Sequence, residues 1–485
     1  MISLGSVVEL AIEKPAAGGR MIARHEGQVV LVSGAIPGER VRALVERVTQ
    51  GVGYARTVDL LEGSPDRRTG SRDSACGGNV YAHIAYPRQL TLKGEVIVDA
   101  LHRIGRLPLD RPVPVTGSPE EGYRMRARFH VRGRTLGFFR EGSHQLCDPA
   151  VTGQLLPATV SLVGELAERV RDGSLAGVTE IELAENIPAS ERALHFELDR
   201  PVTPMGLSGM AALPTMVGVS AGFGAAGGRR TVTAGGTPCV LDTLVLQLRG
   251  AADLKVRPHG GSSAFARATA DPAEARRDPD ARGGGEDPPY TSKATADEAA
   301  GRMVREVEVR LQHHAQAFFQ ANRYLLSPLA ARVVSLVPEG PVVDLYAGVG
   351  LFAASLAAAG WENVVAVEGD RASAADLRAN ASPFGPALHA VEAAVESYLA
   401  AHPVAADATI VVDPPRTGMS KQAGAAIAAQ AASRLVYVSC DVATFARDTR
   451  RLLDAGYRLE HLEAFDLFPN TAHVEAVGVF TGTLR

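Results

Sequence analysis

The sequence predicts an α/β protein whose last domain contains a mostly parallel sheet with an antiparallel last strand. From Pro341 onwards, short β-branched runs alternate with helical runs, which is typical of a parallel sheet covered by helices on both faces. Residues 1–62 instead hold short strands separated by glycine and proline turns, which indicates a small β-barrel. Residues 63–330 mix both patterns and are predicted to form an α+β middle domain, which leaves 331–485 as the third domain.

The composition indicates a soluble globular protein. The chain has 485 residues, 46% hydrophobic and 21% charged, which suits two or three domains. No apolar run is long enough to span a bilayer, and the first residues lack the pattern of a signal peptide. Four cysteines do not provide a disulfide framework, so we expect a cytoplasmic protein. A net charge of -4 excludes a protein that is basic throughout, so nucleic acid would have to bind local basic patches.

The predicted barrel has strands at Val7–Ile12, Gln28–Leu31 and Arg40–Val48. Small barrels often bind oligonucleotides, although a purely structural barrel is the alternative.

The middle region carries a run of arginines between Tyr123 and Glu141. Arginine alternates there with apolar residues, which predicts a strand with one basic face suited to phosphates. The candidate RNA-binding residues are Arg124, Arg126, Arg128 and Arg140, and a merely solvated charged face is the alternative. A helix over Leu155–Asp172 and a strand over Val178–Leu183 are expected next.

Residues from about 252 to 297 change character, because they are polar, rich in glycine and proline and poor in large apolar side chains. Such a composition predicts a disordered insertion that is dispensable for chemistry.

The third domain has seven predicted strands. They are Val342–Tyr346, Val364–Glu368, Leu388–Val391, Thr409–Asp413, Leu435–Ser439, Leu459–Leu467 and Val474–Phe480. Helices are expected between the first five, at Leu351–Ala359, Ala372–Asn380 and Ala425–Arg434. Only Phe468–His473 joins the last two strands, which is too short for a crossover, so these strands should be antiparallel.

A glycine-containing loop, from Asp344 to Gly350, follows the first of these strands. Gly348 and Gly350 let a ligand approach the backbone, and the next helix offers free N–H donors. Glu368 ends the second strand about 20 residues later, where an acid can accept hydrogen bonds from ribose hydroxyls. We therefore expect a cofactor that contains adenosine, with chance occurrence as the alternative.

Three further polar residues are predicted at the same sheet edge. Asp413 ends the fourth strand in Asp-Pro-Pro-Arg, and Cys440 follows the fifth strand. Glu475 lies near the start of the seventh strand, and an antiparallel seventh strand brings it to that edge. The alternatives are a simple strand terminator for Asp413 and a small buried hydrophobe for Cys440. Neither alternative explains why so many polar strand ends share one edge.

These motifs resemble those of the RNA uracil-C5 methyltransferases that use S-adenosylmethionine (SAM). The matching runs are D-L-Y-A-G-V-G, V-V-D-P-P-R-x-G, Y-V-S-C-D-x-x-T-x-x-R-D and F-P-x-T-x-H-V-E, in the family's order, with F-F-Q-A-N ahead of them. The N-terminal segment, above all A-I-P-G-E-R-V, resembles the RNA-binding TRAM domain. The resemblance implies a Rossmann-like class I SAM methyltransferase domain behind a TRAM barrel.

The resemblance also implies residue roles. Cys440 would be the nucleophile that adds to uracil C6, and Glu475 the general base that removes the C5 proton. SAM would be held by Gln320, Tyr346, Gly348, Gly350, Glu368 and Asp413. His473 is interpreted as structural, and Asp441 stands where the family often has Asn. Leu351 replaces a frequent polar residue beside SAM. The target base must leave its stack to reach the thiol.

Many relatives bind a 4Fe-4S cluster through four cysteines of the middle region. Here only Cys76 and Cys147 match, as remnants of such a site. Because two thiols cannot supply four thiolate ligands, we expect neither a cluster nor another metal.

The expected activity is therefore methylation of uridine C5 in RNA, with ribosomal RNA favoured by the TRAM-like domain. A transfer RNA methyltransferase and an RNA-binding protein with a degenerate catalytic domain are the alternatives. Cytosine C5 methylation is disfavoured, because its enzymes usually carry a second cysteine where this chain has Asp-Pro-Pro-Arg. No protein partner is required by the sequence, and we expect a monomer.

Overall fold

A computed structural model describes residues 2–69, 74–200, 207–225, 228–249, 292–297, 302–430 and 432–482. Its strands are β1 Val7–Pro15, β2 Met21–His25, β3 Gln28–Ser33, β4 Arg40–Thr49, β5 Val52–Glu62, β6 Val115–Thr116, β7 Arg126–Arg132, β8 Thr135–Phe139, β9 Leu146–Cys147, β10 Val178–Glu185, β11 Arg192–Leu198, β12 Met216–Ala225, β13 Gly228–Gly236, β14 Cys239–Arg249, β15 Ser292–Asp297, β16 Arg302–His314, β17 Val342–Leu345, β18 Val364–Glu368, β19 Leu388–Glu392, β20 Thr409–Val412, β21 Arg434–Ser439, β22 Tyr457–Phe465 and β23 Glu475–Gly482. The helices are α1 Tyr86–Arg103, α2 Pro157–Asp172, α3 Leu326–Leu336, α4 Leu351–Ala359, α5 Arg371–Ala381, α6 Val395–Ala401, α7 Lys421–Ala428 and α8 Val442–Asp454.

The N-terminal barrel is closed, with strand order β1-β2-β3-β5-β4, which confirms the predicted barrel. Alternate residues such as Leu10, Val30 and Val41 point inwards and form its core. Three buried residues from outside the barrel, Tyr81, Ile84 and Leu92, belong to the same apolar cluster. The barrel is therefore packed against the start of α1.

The middle region forms a seven-stranded sheet of order β13-β12-β11-β10-β7-β8-β9, with α2 on one face. In β7, Phe129 and Val131 face α2, while Arg128 and Arg132 are exposed on the other face. The predicted alternation is therefore present. However, the segment is a hairpin of β7 and β8, not one strand, because Gly133 turns the chain at a φ of 60°.

Strands β14, β16 and β15 form a separate antiparallel sheet. The predicted disordered insertion, residues 252–297, falls between β14 and β16. Its last six residues, Ser292–Asp297, are the strand β15, so the prediction differs from the structure there. The rest of the insertion lies outside the described residues.

The sheet of the third domain, named the catalytic sheet below, has eight strands in the order β19-β18-β17-β20-β21-β23-β22-β6. The five strands from β19 to β21 pair in parallel, and β23 is antiparallel to both β21 and β22. This confirms the predicted mostly parallel sheet with an antiparallel last strand. The eighth strand, β6, comes from the middle region and was not predicted, because two residues carry no periodic pattern.

One helix of this domain differs from its prediction. A helix was expected over Ala425–Arg434, whereas α7 begins at Lys421, because the Ser420 side chain accepts a hydrogen bond from Ala423 N (2.9 Å) and caps the helix. Its end lies well before Arg434, which starts β21.

Two apolar clusters contain residues from both sides of residue 330, the predicted boundary between the middle and third domains. Ile97 and Leu101 of α1 share one cluster with Val412 and Phe445 of the catalytic sheet and α8. On the other face of the sheet, strands β14 and β16 contribute buried side chains to the cluster that contains α3 and α4. The catalytic sheet is thus covered partly by elements from the preceding 330 residues.

Cys76 and Cys147 are joined by a disulfide bond, with their Cα atoms 5.8 Å apart. The sequence predicted no disulfide framework, and the structure differs by this one bond. The bond attaches the segment before α1 to strand β9. In the described part of the chain, no helix is both long and apolar enough to cross a membrane.

Candidate active site

The antiparallel pairing of β21 with β23 brings the two predicted catalytic residues together. Ser439 pairs with Ala476, so the next position along each strand places Cys440 opposite Glu475. Directly opposed residues in such a pair have Cβ atoms about 4.5–5.5 Å apart. Cys440 is partly exposed, whereas Glu475 is 2% exposed.

Burial and charge determine the protonation of both groups. Burial, and then the carboxylates of Glu475 and Asp413, raise the pKa of the Cys440 thiol to about 12, while Arg416 opposes them. Burial, and then Asp413, also raise the pKa of Glu475 well above its ordinary value. In the described structure no group donates to Glu475 Oε1. A buried carboxylate with a free oxygen and a raised pKa is well suited to accept a proton.

Asp413 lies one residue beyond β20 and beside the same pair. Burial raises its pKa to about 7. Gln320 Nε2 donates a hydrogen bond to Asp413 Oδ2 (3.5 Å), which joins the Phe-Phe-Gln-Ala-Asn segment to the strand end. The structure thus brings Asp413, Cys440 and Glu475 to one sheet edge, as predicted, and adds Gln320 to them.

The glycine loop between β17 and α4 has an unusual backbone. Tyr346 adopts a φ of 59°, and Gly348 and Gly350 have φ values of 56° and 94°. A left-handed conformation at a tyrosine is strained, and such strain is concentrated at binding and catalytic sites. The N-cap of α4 is Gly350, which offers no side chain to cap the helix. No N-cap side chain therefore covers the start of α4, where Ala353 N is the amide that donates to Asp344.

Glu368 ends β18 beside this loop. One carboxylate oxygen accepts a hydrogen bond from Gly348 N (2.8 Å) and the other accepts one from Asp370 N (2.6 Å). The carboxylate is partly exposed and holds the loop in place. Its position at the second strand end, facing a glycine loop, is the arrangement that receives a ribose.

These features fit SAM. Main-chain N–H groups, glycines that leave room for a ligand and the Glu368 carboxylate suit an adenosine moiety and an amino-acid tail. Leu351, which stands where relatives often have a polar residue, is buried. Its side chain therefore offers no polar contact at this site.

Asp344 was noted only as the start of the glycine loop, but it belongs to the site. Its Oδ2 accepts a hydrogen bond from Ala353 N (3.1 Å), and within the described ranges nothing donates to Oδ1. Burial and then Asp413 raise its pKa well above the ordinary value. An acid at the end of an apolar strand, just before a glycine loop, is the signal that identifies it.

The arginines predicted to bind RNA have different environments. Arg126 donates to the carbonyl oxygens of His314 (3.3 Å) and Ala315 (2.6 Å), so its guanidinium links β7 to the end of β16. Arg124 donates to Gln154 Oε1 (2.8 Å) and lies 5.9 Å from the Phe468 ring, close to the active site.

Arg128 is exposed, and it pairs with Glu182 (2.5 Å) on the neighbouring strand. Arg140 is partly exposed and bridges to Cys76 in a short antiparallel contact. None of these contacts decides whether the four arginines bind RNA, which stays a prediction.

The two cysteines that match the family's cluster ligands bond each other and not a metal. Across the described residues, no three histidine, cysteine or carboxylate side chains are grouped as a metal site requires.

Two family models match the chain. The model described as tRNA (Uracil-5-)-methyltransferase matches residues 404–483, and the TRAM domain model matches residues 3–58. The second match coincides with the closed barrel.

Relatives match over nearly the whole length. The 23S rRNA (uracil(1939)-C(5))-methyltransferase RlmD of Pseudomonas entomophila is 31% identical over 99% of this chain and 94% of its own. An uncharacterized RNA methyltransferase of Thermosynechococcus vestitus is 28% identical over 98% of each chain.

Among solved structures, the Pyrococcus abyssi tRNA (uracil-54, C5)-methyltransferase in complex with S-adenosyl-L-homocysteine superimposes with a TM-score of 0.65. It is 20% identical, and the match covers 98% of this chain and 100% of the other, so the two share a fold. The full-length relatives, one of them 31% identical, and the two family models establish that the chain belongs to the SAM-dependent RNA (uracil-C5)-methyltransferases with an N-terminal TRAM domain.

Proposed function

We propose that this enzyme methylates C5 of a uridine in ribosomal RNA through a covalent bond between Cys440 and C6 of the base. The observation that carries the proposal is the register that sets Cys440 opposite Glu475 at the sheet edge beside Asp413. A nucleophile and a base on facing strands can act on adjacent carbons of one flat ring.

The chemistry follows from the weak nucleophilicity of uracil C5. Cys440 Sγ, which is partly exposed, gives its proton to water and bonds to C6 as the thiolate, and the electrons of the C5–C6 double bond move to give an enolate. SAM supplies the methyl group, which C5 takes as the methyl–sulfur bond breaks. Glu475 then removes the C5 proton, and the returning electrons expel Cys440 Sγ from C6 and restore the double bond.

The surroundings of Cys440 support this order of events. With a pKa raised to about 12, the thiol is protonated at neutral pH in the protein without ligands. Arg416 lowers the pKa of this thiol, and it is exposed at the same edge. The polar groups that would hold SAM are Gln320, Asp413 and Glu368, together with the backbone around Tyr346, Gly348 and Gly350.

Ribosomal RNA is the preferred substrate class, because several relatives that match over almost the full length are 23S rRNA methyltransferases by name. Transfer RNA is the second candidate, because the superimposed Pyrococcus abyssi enzyme acts on tRNA. Arg128, exposed on the β7–β8 hairpin, and Arg140 are proposed to contact RNA phosphates, whereas the guanidinium groups of Arg124 and Arg126 already donate to groups of the protein. All the proposed groups come from one chain, which favours a monomer; an RNA-modifying enzyme would act in the cytoplasm.

The test is release of tritium from RNA labelled at uracil C5, measured with SAM and with either ribosomal or transfer RNA. We expect release from ribosomal RNA by the wild-type enzyme and none from either RNA by Cys440→Ala. Release by Cys440→Ala at the wild-type rate would refute the covalent mechanism. Release from transfer RNA alone would instead refute the choice of substrate.

A second variant tests the role of Glu475. Glu475→Gln keeps the shape of the side chain but cannot accept the C5 proton, so methylated RNA should remain bonded to Cys440. We expect a protein–RNA adduct that survives denaturing electrophoresis and carries one added methyl group per base. Normal turnover by Glu475→Gln would exclude Glu475 as the base.

A further inference from the structure

The nine-residue loop 466–474, which leads into Glu475, is held mainly by residues from outside the catalytic domain. The loop connects β22 to β23, and most of its residues are buried. Its conformation determines where β23 begins, and Glu475 is the first residue of that strand. Contacts that hold this loop in place therefore also help to position the Glu475 carboxylate.

Lys93 on α1 makes the first contact with the loop. Its ammonium donates to Asp466 Oδ1 (2.5 Å) and to the carbonyl oxygen of Phe468 (3.1 Å). The Lys93 and Asp466 side chains are 1% and 0% exposed, so solvent does not compete for this ion pair. A buried pair of this kind contributes little net stability compared with an apolar pair, but it specifies one geometry.

Gln89, one turn earlier on the same face of α1, makes the second contact. Its Nε2 donates to Asn470 Oδ1 (2.9 Å), and Asn470 N donates back to Gln89 Oε1 (3.0 Å). Asn470 adopts a φ of 64°, and its carbonyl oxygen accepts a hydrogen bond from Tyr81 N (2.8 Å). Three hydrogen bonds from the segment that contains α1 thus hold Asn470, which has a strained backbone conformation.

Two other regions add contacts. Asn322 Nδ2 donates to the carbonyl oxygen of Leu467 (3.0 Å), and a Cβ placed on Gly19 of the barrel would lie only 3.2 Å from Ala472 Cβ. The barrel, α1 and the Phe-Phe-Gln-Ala-Asn segment therefore all contact the same loop.

We infer that Lys93 and Gln89 are positioning residues for Glu475: through the ion pair with Asp466 and the paired hydrogen bonds with Asn470, they hold loop 466–474 so that the carboxylate reaches the C5 proton of the methylated adduct. The inference rests on the proposed function. Because Glu475 acts in the elimination step, a displaced Glu475 carboxylate should slow that step. A displacement of about 1 Å at a reacting group can cost about 100-fold in rate.

The variant that tests this is Lys93→Met combined with Asp466→Asn. It removes both buried charges together, so neither is left unpaired, and the Asn keeps an oxygen for Phe468 N, which donates to Asp466 Oδ1 (3.2 Å). Arg103→Met is the matched control, because it breaks an exposed ion pair with Asp99 (2.7 Å) on the same helix. SAM affinity and the melting temperature check that each variant is folded.

In a single turnover with SAM and ribosomal RNA, we expect the double variant to form the methylated adduct at close to the wild-type rate. Release of product should slow by about 10- to 100-fold, so the denaturation-resistant adduct accumulates, while Arg103→Met behaves as wild type. Gln89→Leu should show the same pattern.

Equal slowing of adduct formation and release, with no accumulation, would overturn the positioning role. Unchanged kinetics in both Lys93→Met/Asp466→Asn and Gln89→Leu would overturn it as well. Glu475→Gln is run alongside: if that variant also forms no adduct, the proposed covalent mechanism fails. If it forms the adduct and the loop variants do not, only the positioning role fails.

Discussion

Replacing Glu475 by glutamine should make Cys440 ionise at a lower pH. In the wild-type protein, burial, Glu475 and Asp413 together raise the pKa of this thiol from an ordinary 9.0 to about 12. At pH 8 the thiolate fraction is then about 1 in 10,000, compared with about 1 in 10 for an unperturbed thiol. Because the thiolate is the reacting form, alkylation of Cys440 should be about 1000-fold slower than that of an ordinary cysteine.

The contribution of Glu475 can be worked from the strand register. Opposed side chains on antiparallel strands are about 5 Å apart, and two unit charges at that distance repel by about 3 kcal/mol at an effective dielectric constant of about 20. This corresponds to about two pKa units as an upper value. The variant should therefore titrate near pH 10 to 11, about one to two units below the wild type.

The assay is alkylation by iodoacetamide between pH 7 and 10.5, followed peptide by peptide by mass spectrometry. The wild-type rate at Cys440 should rise about tenfold per pH unit through pH 10, whereas the rate for Glu475→Gln should begin to level off. Cys239 is the internal control, since its pKa is raised to about 11 by burial and by Asp376, and Glu475 is not among the causes. Rapid alkylation of wild-type Cys440 at pH 8, or identical pH profiles for the two proteins, would refute the reasoning.

Three further outcomes are expected. Asp413→Asn should stabilise the protein at pH 8, on the order of 3 kcal/mol. Because the pKa of Asp413 is raised from 3.8 to about 7, wild-type stability declines as the pH rises through that window, and melting curves from pH 4 to 8 should show a smaller decline for the variant. Glu368→Ala should weaken SAM binding by about tenfold or more in calorimetry, because it removes the acceptor for a ribose and frees Gly348 N, and unchanged affinity would contradict that role. Replacing Cys76 and Cys147 by serine should cost about 4 kcal/mol, because the bond closes a loop across a sequence separation of 71 residues; dithiothreitol should lower the melting temperature of the wild type only.

The catalytic pair could be predicted from local patterns. The runs ending before Cys440 and starting at Glu475 are short and β-branched, and the brief connection before Glu475 forces an antiparallel strand. The register of the two strands could not be predicted in this way, because both are buried on both faces. Asp441, which accepts a hydrogen bond from Thr444 N (2.8 Å), marks the start of α8 by the same kind of local signal.

The contacts that hold loop 466–474 beside the active site could not be predicted, because they join distant parts of the chain. Gln89 and Asn470 are separated by 381 residues, and nothing near either residue indicates the other. Arg126 illustrates a different limit: a basic residue on an alternating strand has the same pattern whether its guanidinium faces solvent or, as here, binds carbonyl oxygens of its own protein. The disulfide likewise depends on spatial proximity alone.

Helix α1 packs on the catalytic sheet and β6 is its edge strand, yet both are synthesised long before the strands that they contact. Strand β6 leaves the ribosome roughly 340 residues before β22, the strand beside which it lies. At about 5 to 20 residues per second, that separation is roughly 20 to 70 s of translation. Throughout that time the apolar face of α1, including Ile97 and Leu101, lacks the residues of the catalytic sheet and α8 against which it packs in the folded protein. The nascent chain should therefore depend on a chaperone, or on transient packing against the barrel, until its last strands emerge.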